Sequence, residues 1–147
     1  MMSVAQLLAE KKAAQALKNL QEGEAFLAQN AQQEGVVSLP SGLQYRVLVE
    51  GAGDKPTLDD KVICHYHGQN LQGEVFDSSV ERGAPATFAI KNLIQGYQQA
   101  LPLMGVGSKW VLYVPSELAY GQQHKSKQIG ANSTLIFEVE LLDIIKA

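Results

Sequence analysis

The sequence has a single cysteine, Cys64, among 147 residues, so no disulfide can form within the chain and no pair of cysteines can hold a metal. There is no proline before Pro40 and only one glycine, Gly23, in the first 34 residues, which removes the usual helix breakers from that segment. Charge of one sign is also scarce. Twelve Lys and Arg stand against fifteen Asp and Glu, a net charge of −3, and outside the first helical segment only Lys125 and Lys127 approach a basic cluster. Duplex nucleic acid is excluded as an expected partner, because backbone binding needs concentrated positive charge. No apolar run is long enough to span a bilayer, so membrane insertion is not expected either. The amino-terminal order of residues lacks the charge, apolar stretch and cleavage site of an export signal. The expected compartment of the chain as read is therefore the cytoplasm, with the periplasm as the alternative for a processed chain.

What is present falls into two regimes. Residues 1–34 are rich in Ala, Gln, Leu, Lys and Glu, and Ser3 can cap a helix read from about Val4 to Gln33. At about 1.5 Å per residue such a helix extends about 45 Å, more than one small domain covers, so it is expected to project as a stalk. Its apolar positions Val4, Leu7, Leu8, Leu17, Leu20, Leu27 and Ala31 are interrupted by Lys11, Gly23 and Glu24. Three roles follow: a solvated spacer, a helix that pairs with another chain to make a homodimer, or one folded back on the domain. The expected boundary lies at residue 34, with residues 35–147 forming the second unit.

All five prolines and twelve of the thirteen glycines lie in that second unit, where they punctuate short apolar runs. The rhythm indicates a mainly antiparallel sheet with strands at 43–49, 61–68, 72–77, 86–89, 108–114 and 134–145. In the last run Leu135, Phe137, Val139 and Leu141 alternate with a mixed set, giving one wholly apolar face. Between residues 92 and 101, Ile94, Tyr97 and Leu101 fall at helical spacing. Six strands and one short helix predict an α+β domain.

Residues that could carry covalent or metal chemistry are few. His65 and His67 share one face of a strand, the spacing that can present two imidazoles to a metal, but no third ligand is evident and the bland reading is a pair of surface histidines. Cys64 alternates with Val62 and Tyr66 and is expected in the core. No Gly-x-Ser-x-Gly or phosphate-cradling glycine pattern occurs. Aromatic side chains, by contrast, are concentrated: nine of the ten follow residue 44, and Tyr66, Phe76 and Tyr120 sit at strand ends or beside loops. Such positions suit either plain core or the mouth of an apolar pocket.

Five segments in order, HYHG at 65–68, GEVFDSS at 73–79, LIQGYQQAL at 93–101, VGSKWVLYVPSELAYG at 106–121 and STLIFEVELLDI at 133–144, resemble the FKBP-type peptidyl-prolyl cis-trans isomerases. The words GEAFLAQN at 23–30 and VVSLPSGLQYRVL at 36–48 are similar to the macrophage infectivity potentiator branch of that family. The resemblance implies an antiparallel sheet of five or six strands curled around one short helix. It implies a pocket of Tyr66, Phe76, Phe88, Leu93, Ile94, Tyr97, Tyr120, Ile129 and Phe137, with Asp77, Arg82 and Ala86 at its edge. Ile94 would act through its backbone N–H on a substrate carbonyl, and Asp77 would accept from the Tyr66 hydroxyl and pair with Arg82. Tyr97 stands where the family often has Trp, His67 where it has Thr, and Ala86 where some members carry an aromatic. The expected partners are proline-containing polypeptides and FKBP-type macrolide inhibitors, and no cofactor is expected. The rival reading is a groove that retains client chains without appreciable catalysis.

Overall fold

The computed structural model describes every residue from Met1 to Ala147. Helix α1, Val4–Asn30, opens with a reciprocal cap in which Ser3 Oγ accepts from the Gln6 N–H at 3.1 Å and Gln6 Oε1 accepts from the Ser3 N–H at 2.8 Å. It ends three residues earlier than the expected Gln33, and Gly35 then turns the chain with φ 82°, a conformation open to glycine. No helix is long and apolar enough to cross a membrane.

The strands are β1 (Val36–Ser38), β2 (Gln44–Val49), β3 (Lys61–Gln69), β4 (Val75–Ser78), β5 (Ala86–Ala89), β6 (Lys109–Val114) and β7 (Leu135–Ile145). Short helix α2 (Ser79–Arg82) follows β4, and α3 (Gln95–Ala100) lies between β5 and β6 with single 3₁₀ turns on either side. The sheet is antiparallel in the order β1-β2-β6-β7-β3-β4, and β5 pairs with the other end of β3. This is an α+β domain with seven strands rather than six. The addition is β1, three residues whose exposed, non-alternating pattern carries no sequence signal. The segment expected as strand from residue 72 becomes strand only at Val75, because Gly73 takes φ 84° in a turn closed by Asn70.

Alternation decides which side of the sheet is buried. On β3, Val62, Cys64, Tyr66 and Gly68 face inward, and on β7 Leu135, Phe137, Val139 and Leu141 do the same. The register places Tyr66 beside Val139 and Gly68 beside Phe137, so inward residues meet inward residues across the strands. Cys64 is buried in this core and its thiol is pushed up to about 12 by desolvation, which leaves it an inert apolar group. Gly96 of α3 lies so close to β6 that a Cβ there would come within 2.7 Å of Val114 Cγ1, which seats the short helix directly on the sheet.

The expectation of a projecting stalk holds for only half of α1. Ala16, Asn19, Leu20, Gly23, Phe26, Leu27 and Asn30 are turned toward the domain, and Phe26 meets Tyr113 with ring centroids 6.0 Å apart. Asn19 Nδ2 donates to the Ala131 carbonyl at 2.9 Å and Asn132 Nδ2 to the Ala16 carbonyl at 3.2 Å. Farther along, the Gln44 amide donates to the Leu27 carbonyl and accepts from buried Asn30, each at 2.8 Å. At the crossing point, a Cβ on Gly23 would collide with Thr134. Only the first part, with Val4, Leu7 and Leu8 exposed, extends free of the domain.

Gly23→Leu is expected to release this half-helix. Leucine would gain about 1 kcal/mol of intrinsic helix stability over glycine, but inserting its bulk against Thr134 costs about 1–3 kcal/mol or more. Docking therefore loses. Tryptic cleavage after Lys18 should accelerate by about tenfold or more, as expected for an opening cost of 1.4 kcal/mol or above per decade. Unchanged cleavage would mean that the helix is held without the Gly23 contact.

Candidate active site

The inner face of the sheet, α3 and the long connection from β6 to β7 converge on one aromatic cluster. Tyr66, Ile129 and Phe137 are its buried floor. Phe76, Phe88, Leu93, Ile94, Tyr97, Tyr120 and Ala86 pack against that floor while keeping part of their surface open. The result is a partly open apolar dish. A cavity of about 400 Å³ does exist, but it lies on the opposite face of the sheet among His65, His67 and Glu138.

The rings hold one another at angles. Phe137 meets Phe76 edge-on with centroids 5.5 Å apart and Tyr97 in a tilted pair at 4.9 Å, and Tyr66 meets Phe88 at 5.5 Å. Gly68 makes this possible. A Cβ at that position would stand 2.6 Å from Phe76 Cζ and 2.8 Å from Phe137 Cε1, so the bare strand is where the two rings come to rest. Sequence reasoning placed Gly68 at the end of a strand and gave it no role in the site; its signal is a glycine inside a run of alternating large residues.

Tyr66 is fixed at both ends. Its backbone N–H donates to Ser79 Oγ at 2.7 Å, and that fully buried hydroxyl lies 3.2 Å from the Tyr66 carbonyl. Its phenol donates to Asp77 Oδ2 at 2.6 Å and accepts from Arg82 Nη2 at 2.9 Å. Arg82 Nη1 pairs with the other Asp77 oxygen, and the guanidinium carbon sits 5.5 Å from the centre of the Tyr66 ring. Ser79 is a second residue that sequence reasoning did not single out. The triad keeps the Tyr66 ring at one angle in the floor of the dish.

Every phenol of the site is held in its protonated form. Desolvation raises Tyr66 above its ordinary value of 10.0, with the Asp77 hydrogen bond adding to it and Arg82 opposing. Desolvation likewise raises Tyr120, helped by the Asp77 charge. Tyr97 keeps some ring surface open, yet protein surrounds it on enough sides that desolvation carries its phenol well above 10.0. None of these groups is poised to give or take a proton near neutrality.

Ile94 caps α3 in an extended conformation, φ −60° and ψ 156°. Its carbonyl accepts from the Tyr97 and Gln98 N–H groups, whereas its own N–H donates to no backbone group of the chain. The dish thus combines apolar walls with one free backbone donor. No three His, Cys, Asp or Glu side chains meet there to hold a metal.

Asp77→Ala should lower kcat/KM by about tenfold, corresponding to loss of one charge-assisted hydrogen bond of about 1.5–3 kcal/mol only partly expressed in ring position. Stability should change little, because Asp77 and Arg82 are about half exposed, 44% and 51% by side chain, and such ion pairs contribute about 0–1 kcal/mol. Asp77→Asn, which keeps an acceptor for Tyr66, should recover most of the loss. An Asn variant as impaired as the Ala variant would instead assign Asp77 an acid role.

Comparison with known proteins places the chain among relatives. Residues 53–142 match the FKBP-type peptidyl-prolyl cis-trans isomerase family, and residues 1–47 match the domain amino-terminal to it. The FKBP-type 22 kDa peptidyl-prolyl cis-trans isomerase of Escherichia coli is 52% identical over 124 residues, which is 84% of this chain and 60% of that protein. The peptidyl-prolyl cis-trans isomerase Mip of Coxiella burnetii is 48% identical over 128 residues, 87% of this chain and 56% of that protein. The chain therefore spans little more than half the length of these relatives. Among solved structures, FkpA from Escherichia coli superposes with a TM-score of 0.89 at 32% identity, over 99% of this chain and 75% of that one. The chain belongs to the FKBP-type peptidyl-prolyl cis-trans isomerase family.

Proposed function

We propose that this protein accelerates rotation about X-Pro peptide bonds by holding the proline in the aromatic dish. The observation that carries the proposal is the combination of a floor of Tyr66, Ile129 and Phe137 with an unengaged Ile94 N–H at its edge. Amide resonance sets a barrier of about 18–20 kcal/mol, and the uncatalysed X-Pro reaction takes tens to hundreds of seconds. No bond breaks. At the rotated geometry the nitrogen loses conjugation and the carbonyl loses charge separation. An apolar surface that excludes water therefore favours that geometry over the planar one. An acceleration of 10⁴ requires about 5.5 kcal/mol at 1.36 kcal/mol per decade.

In this reading Phe76, Phe88, Leu93, Tyr97, Tyr120 and Ala86 enclose the prolyl ring. Ile94 donates to a substrate carbonyl, and Asp77 with Arg82 orients Tyr66. The substrates are proline-containing polypeptides, and the same surface accepts macrolides that mimic them. Residues 35–147 form the isomerase unit, and residues 1–34 form the helical arm. The exposed row of Val4, Leu7 and Leu8 supports a homodimer formed through the free end of that arm, which sedimentation at several concentrations tests.

The experiment is NMR exchange on a short X-Pro peptide, with and without an FKBP-type macrolide. Catalysed exchange that the macrolide suppresses supports isomerisation at this site. Measurable peptide binding at the uncatalysed rate would show a retaining module instead.

A further inference from the structure

The middle of α1 touches the chain segment that also holds the wall of the dish. Asn19 Nδ2 donates to the Ala131 carbonyl at 2.9 Å, and the side-chain amide of the next residue, Asn132, donates to the Ala16 carbonyl at 3.2 Å. The backbone N–H of Asn132 donates to the Gly121 carbonyl at 2.8 Å. Gly121 directly follows Tyr120, whose ring packs on the floor of the dish. One residue therefore ties the helix to the aromatic wall.

Asn132 makes both ties from an uncommon backbone conformation. Its φ of 61° is the only positive value at a residue other than glycine, in a left-handed region that asparagine tolerates better than most side chains. Such a conformation persists where its surroundings fix it from more than one side. Gly121 is fixed as well, its N–H donating to the Ser116 carbonyl at 2.8 Å. The far end of the connection is anchored by the turn after β3. There Asn70, 5% exposed, donates to the Gln128 carbonyl at 2.9 Å while its Oδ1 accepts from the Gln72 and Glu74 N–H groups. Ile129 of the floor follows Gln128. A shift that enters at residues 131 and 132 finds little slack and passes to Tyr120.

We infer that Asn132 is a positioning residue for the aromatic site: docking of α1 sets Asn132, and Asn132 sets Tyr120. The inference rests on the reading of the dish as the prolyl site and gives the docked half of α1 a part in it. A prolyl segment binds the docked form more tightly than the released one, and by linkage its binding strengthens docking by the same factor. Couplings between sites are typically about 5–150-fold. Two neutral hydrogen bonds at a half-buried contact put this one near the lower end, at about fivefold.

Trypsin tests this on the full chain in the presence of a short X-Pro peptide that has no Lys or Arg. Saturating peptide should slow cleavage after Lys18, in the docked half of α1, by about fivefold. Cleavage after Lys12, in the free part, should not change. Asn132→Gly keeps the backbone N–H and accommodates the positive φ, but it lacks the amide that reaches Ala16. In that variant the protection should disappear, and the peptide Kd, read by NMR titration, should weaken by about fivefold. Asn19→Ala loosens the helix and leaves the Asn132 link in place, so its faster cleavage should still be slowed by peptide. Peptide that binds the wild-type chain without slowing cleavage after Lys18 overturns the inference, and so does protection that survives Asn132→Gly. Peptide that does not bind at all overturns the reading of the dish, and this inference with it.

Discussion

Replacing Gly68 by valine is expected to reduce kcat/KM for X-Pro isomerisation by about a hundredfold or more while the chain still folds. Even the first carbon of the new side chain would fall 2.6 Å from Phe76 and 2.8 Å from Phe137, so both rings must leave their resting places. Overpacking of this kind costs about 1–3 kcal/mol. Here the strain is released into the rings that form the floor and wall of the site, because the strand itself is held by pairing to both β4 and β7. A loss of about 2.7 kcal/mol in transition-state stabilisation is a hundredfold in rate. Comparing kcat/KM with the thermal midpoint separates the two consequences: activity should collapse with a modest shift in Tm. A Gly68→Val protein of normal activity would show that the Phe76 and Phe137 positions do not matter to the reaction.

Phe137→Ala should remove activity and a large part of the stability together. Phe137 is 3% exposed and makes ring contacts with both Phe76 and Tyr97. Truncation of a buried phenylalanine costs about 3–5 kcal/mol, a substantial fraction of the 5–15 kcal/mol available to a typical domain. Chemical denaturation should show a lower midpoint with an unchanged slope. Phe137→Leu, which fills most of the space without a ring, should restore most of the stability and little of the activity. Full activity in the leucine variant would mean that apolar volume suffices and that the aromatic faces contribute nothing of their own.

The strands that position the site were legible because each is covered on one side only, which writes a period of two into residues such as Leu135, Phe137, Val139 and Leu141. The aromatic cluster was legible as a set of residue types, and the family resemblance supplied its grouping. Neither signal could place α1. Gly23 reads as a break in an apolar stripe, yet it is the point of closest approach to Thr134, and the ties around it use Asn19, Asn30 and Asn132. A docking surface in which Leu20, Phe26 and Leu27 are interleaved with Asn19, Gly23 and Asn30 gives only a broken hydrophobic period. Pairing across strands was equally hidden. His65 could be matched with Glu140 only once the register was known, and that register shifts between Ile63 and Cys64.

The claim at the centre of the account is that an apolar surface eases the rotation without transferring a proton. The phenols of Tyr66, Tyr97 and Tyr120 are all raised above 10.0, so each stays protonated through the neutral range, and the Cys64 thiol, at about 12, does the same. His65 and His67 lie on the other face of the sheet. The deciding measurement is kcat/KM for a short X-Pro peptide between about pH 6 and pH 9, the range in which an acid or base catalyst would reveal its pKa. The account predicts a flat profile. A limb with a slope of one and a midpoint inside that range would contradict it, because it would require a titrating group to act on the amide.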